Sequence, residues 1–207
     1  MSIEQFTIVC CFNKTCEQCQ SDTEKCRTVV IPSSQQTKEW RSSQDWYQNG
    51  KHNECEIYQR NLIEKITLMK CRKTHVRLNL CDYQMKTVVS PNKQPDGFEW
   101  TEDFDGLIEI ESKQLYFNLK MVCSAGGAQN RTLREVYHFI RSQLEHLLLF
   151  PESSVNVYFI NILDGDESAH YMNKFHHLLS KEKYSTIKDK VYVGDLYQFQ
   201  SNRWPTI

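Results

Sequence analysis

Phe104-Asp105-Gly106-Leu107-Ile108-Glu109-Ile110, the polar tetrapeptide Glu111-Ser112-Lys113-Gln114, and Leu115-Tyr116-Phe117-Asn118-Leu119-Lys120-Met121-Val122 follow one another without a break. Two apolar, β-favouring runs around a short polar connection predict a β-hairpin. With its turn centred on Ser112-Lys113, Asp105 falls opposite Lys120 and Leu107 opposite Asn118. Asn118 and Lys120 are two residues apart, so their side chains share a face of the second strand. The sequence thus predicts that a carboxylate, an amide oxygen and an ammonium meet on one hairpin.

Outward from the hairpin the chain alternates between helical and strand periods. Downstream, a Gly-bearing loop (Ser124 to Asn130) leads into a helix from about Arg131 to Phe150, with Leu133, Val136, Tyr137, Ile140, Leu144 and Leu147 as its buried stripe. Pro151 ends it. Val155 to Leu163 is a near-continuous apolar run, the mark of a strand covered on both faces. Asp164-Gly165-Asp166 then turns the chain into a helix from about Ser168 to Ser180, and Lys190 to Gly194 reads as a last strand. Upstream, Ile57, Leu62, Ile63, Ile66 and Met69 recur at helical spacing from Asn53 onward, and His75 to Leu80 and Met85 to Val89 are strand candidates. A hairpin, a crossover helix and a buried strand make an α/β fold, with a mixed sheet flanked by helices. We expect two regions: a Cys-rich segment over residues 1–50 and the α/β core over residues 51–207. Within the first, Pro32-Ser33-Ser34-Gln35-Gln36 reads as a loop, and Trp40, Trp46 and Tyr47 as exposed aromatics.

The 207 residues carry a formal net charge of −1, with 40% hydrophobic and 25% charged side chains, which describes an ordinary globular protein rather than a polybasic one. That near-neutral total conceals opposed blocks. Residues 95–111 hold Asp96, Glu99, Glu102, Asp103, Asp105, Glu109 and Glu111 and no Lys or Arg, whereas the flanking segments are net basic. An acidic block between basic ones fits a metal site beside a polyanion track. No apolar run is long enough to span a membrane, and the first residues lack a basic, apolar leader. The expected location is cytoplasmic, or nuclear in a eukaryotic or viral setting, and not secreted. With reduced thiols expected there, the nine cysteines need another use. Cys11, Cys16, Cys19 and Cys26 have a spacing that suits tetrahedral Zn²⁺. Reduced thiols without metal, and iron–sulfur ligation through part of the same spacing, stay open. Cys55, Cys71, Cys81 and Cys123 are expected to be buried thiols.

The hairpin residues have a use in phosphate chemistry. A carboxylate with neighbouring oxygens holds Mg²⁺; the metal acidifies a bound water and neutralises charge on a phosphate; a nearby lysine orients the attacking water. Phe104-Asp105-Gly106 followed by Asn118-Leu119-Lys120 resembles the motif of the PD-(D/E)xK nuclease superfamily, to which most type II restriction endonucleases belong. The resemblance covers roughly residues 54–163, element order included. It implies a restriction-endonuclease-like core in which Asp105 is the metal ligand, Lys120 the motif lysine, and Glu54 or Glu56 the auxiliary acid. Pro95-Asp96-Gly97 also spells part of the motif but lies outside the hairpin. Asn118 stands where the family usually has an acid; as the catalytic-site counterpart its amide oxygen can still ligate the metal without adding charge, which leaves three explanations: a natural variant, an inactivating substitution, or a degenerate nuclease that only binds.

The activity implied is that of a Mg²⁺-dependent endodeoxyribonuclease, a sequence-specific restriction enzyme in the first instance. Its partner would be double-stranded DNA, and a homodimer is the simplest geometry for cutting a palindrome. Gln129, Asn130, Arg131 and Arg134, at the start of a helix, and the basic patch of Lys70, Arg72, Lys73 and Arg77 are the candidate DNA contacts. The competing reading is a non-catalytic DNA-binding or zinc-stabilised interaction protein with a degenerate core. His170, His176 and His177 read as ordinary helix-surface histidines, and Asp164-Gly165-Asp166-Glu167 as a turn and helix start rather than a calcium loop.

Overall fold

A computed structural model describes residues 33–45, 53–88 and 100–201. The N-terminal cysteines (Cys10, Cys11, Cys16, Cys19 and Cys26), Trp46, Tyr47 and Pro95-Asp96-Gly97 lie outside the described residues. The chain runs α1 (Ser34–Ser42), α2 (Asn53–Thr67), β1 (Val76–Asn79), β2 (Met85–Thr87), β3 (Thr101–Asp103), β4 (Gly106–Ile110), β5 (Lys113–Met121), α3 (Gly127–Leu149), β6 (Val157–Asp164), α4 (Asp166–Leu179), two 3₁₀ turns (Glu182–Tyr184 and Lys188–Lys190), β7 (Val191–Gly194) and α5 (Leu196–Ser201). Among the described residues no helix is long and apolar enough to cross a membrane.

Four strands form a mixed sheet in the order β4-β5-β6-β7, with β4/β5 antiparallel and the other two pairs parallel. β6 lies inside it and is buried over seven of its eight residues, as its near-continuous apolar run requires. Alternation along β5 assigns the two faces. Leu115, Phe117 and Leu119 pack with Leu62, Ile63 and Ile66 of α2 and Leu196 and Phe199 of α5. Tyr116 points the other way, among Leu133, Val136, Phe139 and Ile140 of α3 and Phe175 and Leu178 of α4. The mixed sheet flanked by helices is therefore present. A second, three-stranded antiparallel sheet in the order β2-β1-β3 packs beside it through Leu78.

Three local expectations are corrected. Ser33 to Gln36 is the start of α1, not a loop. The Ser33 hydroxyl accepts from the Gln36 N–H while the Gln36 side chain accepts from the Ser33 N–H, so a capping box nucleates the helix. Trp40 is not a free aromatic, because it stacks on Tyr58 of α2 at 3.8 Å between ring centroids. Cys81 is exposed, at the turn after β1, whereas Cys55, Cys71 and Cys123 are buried as expected. α1 is further tied down by Lys38 to Asp166 at 2.9 Å and by the Arg41 Nη1 donating to the Met121 carbonyl at 3.2 Å.

Gly165, between β6 and α4, has φ +100°, and a Cβ there would run into the Val122 carbonyl. Gly165→Ala is therefore expected to cost roughly 1–3 kcal/mol in urea unfolding. An unchanged midpoint would contradict this reading of the turn.

Candidate functional site

β5 is longer than its antiparallel neighbour. The ladder with β4 ends at Gly106 and Phe117, so the last residues of β5 have no strand beside them on that edge. Side chains fill the gap. The Asp105 N–H donates to the Phe117 carbonyl at 2.8 Å, and the Asp105 carboxylate turns over the strand end to accept the Leu119 N–H at 2.7 Å. Lys120 Nζ lies 3.4 Å from the same Asp105 Oδ2. Asp105 is thus fixed by backbone on two sides before any ligand is considered.

The pairing register differs from the sequence expectation by two residues. The turn is the dipeptide Glu111-Ser112, with Glu111 in the left-handed region at φ 51°, and Ile110 pairs with Lys113. Lys113 and Gln114 belong to the strand despite their polarity, because Gln114 is held between Glu109 and Val157. Asp105 consequently sits across from Asn118 and reaches Lys120 diagonally.

Asn118 has a different engagement. It is buried, and its Nδ2 donates to Asn161 Oδ1 at 3.0 Å on the parallel neighbour. Gln143 Nε2 of α3 donates to the same oxygen at 3.1 Å, and Asn161 Nδ2 donates back to Gln143 Oε1 at 2.8 Å and to the Tyr192 carbonyl. Asn161 Oδ1 thus takes a second donor from position 118 beside that of Gln143, which an amide supplies and a carboxylate does not. Asn118 thus directs its amide nitrogen at Asn161 on β6. Its Oδ1 is buried with no partner among the described residues.

Around Asp105 opens a cleft of about 200 Å³, lined by Glu56, Lys73, Thr74, His75, Arg77, Val88, Asp103, Phe104 and Asp105. Of the two helix acids read from the sequence, Glu56 faces this cleft and Glu54 does not line it. Burial pushes the Glu56 carboxyl above the usual range, and the Asp105 charge adds to this against Lys120, Arg60 and Lys73. Glu102 feels the same centre: crowding by protein raises its carboxyl, Lys120 opposes that, and Asp103, Glu135 and Asp105 add to it. Arg77 is bidentate to Asp103 across β1 and β3.

Three contributors lay outside the sequence reading. His75 and Thr74 line the cleft because the segment after α2 joins the β4 edge, the Arg72 N–H and carbonyl bonding to Leu107 at 2.9 and 2.7 Å. Gln59 is fully buried and donates through Nε2 to the Lys120 carbonyl at 3.2 Å and to Asp164 Oδ2 at 2.6 Å. A glutamine on the apolar stripe of a helix was the available signal. Asp164 also accepts the Leu196 N–H at 3.0 Å, and burial pushes its carboxyl up to about 7.

The remaining DNA-contact candidates scatter. α3 begins at Gly127, four residues before the expected start, so Gln129 and Asn130 are helical rather than in a loop. The cause is that the Asn130 N–H already bonds to the Gly126 carbonyl. Arg131 and Arg134 are exposed, with Arg131 3.8 Å from Glu135. Lys70 pairs with Glu64 at 2.9 Å, and Arg72 is exposed. Only Lys73 of that patch joins Arg77 in the cleft. His176 lies against the Val193 carbonyl and His170 against Tyr171. Asp166 accepts the Ser124 N–H, so Asp164 to Glu167 is a turn and helix start.

Among the described residues no three His, Cys, Asp or Glu side chains are grouped to hold a metal. Asp105 and Glu56 nonetheless form an oxygen-donor pair whose mutual repulsion a hard divalent cation would relieve, and Mg²⁺ commonly takes one or two carboxylates and keeps its waters. Comparison with known proteins is silent: no family model matches the chain, and no curated protein or solved structure matches it.

Two outcomes are expected. Asn118→Asp should destabilise the protein by roughly 1–3 kcal/mol at pH 8, since a buried carboxylate then faces Asn161 Oδ1. The loss should shrink at pH 5, where a protonated acid donates again; unfolding curves at both pH values check this, and equal losses count against it. For Asp164 the folded value of about 7 lies above the unfolded one of about 4. The folded chain then keeps a proton that the unfolded chain releases, so stability present below pH 4 is lost as the pH rises to 7. Asp164→Asn removes this term. The stability of the variant relative to the parent should rise by a few kcal/mol between pH 4 and pH 8, and a pH-independent difference would argue against it.

Proposed function

We propose that the chain is a Mg²⁺-dependent endodeoxyribonuclease of the PD-(D/E)xK type, hydrolysing phosphodiester bonds of double-stranded DNA, with sequence-specific restriction cleavage as its finer role. The observation that carries this reading is the contact of Lys120 with Asp105 at the open end of the hairpin, with Glu56 electrostatically joined to both. Asp105 and Glu56 would hold Mg²⁺, which when bound supplies an acidified water and neutralises phosphate charge. Asp105 is oriented for this by the Leu119 N–H, which commits Oδ2. Lys120, about one third exposed and in contact with Asp105, would orient a water and offset charge on a phosphate oxygen. Gln59 positions the strand that carries Lys120 through its carbonyl. A homodimer supplies two such sites for two strands.

A second reading, a DNA-binding protein with a degenerate core, is favoured by one observation: Asn118 is committed to a buried amide pair and adds no charge to the site.

Plasmid digestion with and without Mg²⁺ separates the two. The parent is expected to nick or cut only with the metal. Asp105→Ala and Lys120→Ala are each expected to lower the rate at least about a hundredfold without unfolding the chain. Full activity in either variant removes these residues from the mechanism; no cleavage by the parent favours the binding protein.

A further inference from the structure

One wall of the cleft has an order of its own. Three basic side chains, Lys73 and His75 before β1 and Arg77 within it, line the cleft together with Thr74 and Asp105. Their charges are not equally available. Arg77 is shared with Asp103 in a bidentate pair, whereas Lys73 and His75 are exposed, and Lys73 acts on Glu56 across the cleft. The other basic candidates differ: Lys70 is 2.9 Å from Glu64, and Arg131 belongs to a helix pair with Glu135. Phe104 and Val88 give the same cleft an apolar part, which favours contact with a strand over free solvation.

We infer that Lys73 and His75 form a phosphate track for the cleaved DNA strand, holding the phosphates next to the one presented to Asp105 and Lys120. The inference rests on the nuclease reading and adds to it the direction of approach: the strand lies along the β1 edge, not across the start of α3. Lys73 contributes a charge, which displaces a counterion from the DNA, and His75 contributes a hydrogen-bond donor.

The test is equilibrium binding of a short fluorescein-labelled DNA duplex, in EDTA at pH 8, over a series of salt concentrations, beside a cleavage assay in Mg²⁺. Lys73→Gln should weaken binding and lower the slope of log affinity against log salt by about 0.9, the value for one lost phosphate contact. Lys73→Arg should restore the slope. His75→Ala should weaken binding with the slope unchanged, and Lys70→Gln should alter neither. Both cleft residues are exposed, so thermal unfolding of the variants should match the parent. A parent that cuts DNA while Lys73→Gln keeps the parental slope overturns the track and leaves the nuclease reading intact. A parent that binds with these slope changes but does not cut supports the track and overturns the nuclease. A parent that neither binds nor cuts overturns both.

Discussion

The bond from the Leu119 N–H to the Asp105 carboxylate is the constraint on which the site depends. β5 outlasts β4, and a strand edge without a partner leaves backbone groups that must be satisfied. Adding another strand would close that edge and seal the cleft. Here an acid closes it, with Arg41 serving the Met121 carbonyl further along. The edge stays open to solvent at Lys120 while its hydrogen bonds are made. A carboxylate used in this way is held rigidly, and Lys120, Glu56 and Glu102 respond to its charge.

Rigidity behind the site comes from the middle of the sheet. β6 is covered on both faces, and the polar side chains admitted there are paired ones: Asn161 with Asn118 and Gln143, and Asp164 with Gln59 and the N-terminus of α5. Such groups cost stability when left alone and specify one arrangement when satisfied. Each network joins β5 to a helix on one face of the sheet, α3 on one side and α2 on the other. The backbone bearing Lys120 is therefore fixed from both faces.

Much of this was legible in the sequence wherever apolar periodicity ran long. The stripe from Leu133 to Leu147, the near-continuous run ending at Leu163, and the hairpin around Ser112 all name their elements. The exact register did not follow, since Lys113 and Gln114 look like turn residues and only the neighbouring β6 makes them strand. α1 was hidden because a Ser/Gln-rich stretch has the composition of a loop and the chemistry of a capping box. Asp105 and Lys120 could be paired from a motif. The commitment of Asn118 could not, because it is decided by Asn161 and Gln143, distant in sequence. Gln59, His75 and Thr74 carry no motif at all; tertiary placement alone brings them to Asp105.

The amide cluster also ties together three positions that are distant in sequence. Asn161 Oδ1 takes donors from two directions, so the cost of a change at position 118 depends on positions 143 and 161. Asn118, Gln143 and Asn161 are therefore coupled: a change at any one alters the cost of changing the other two.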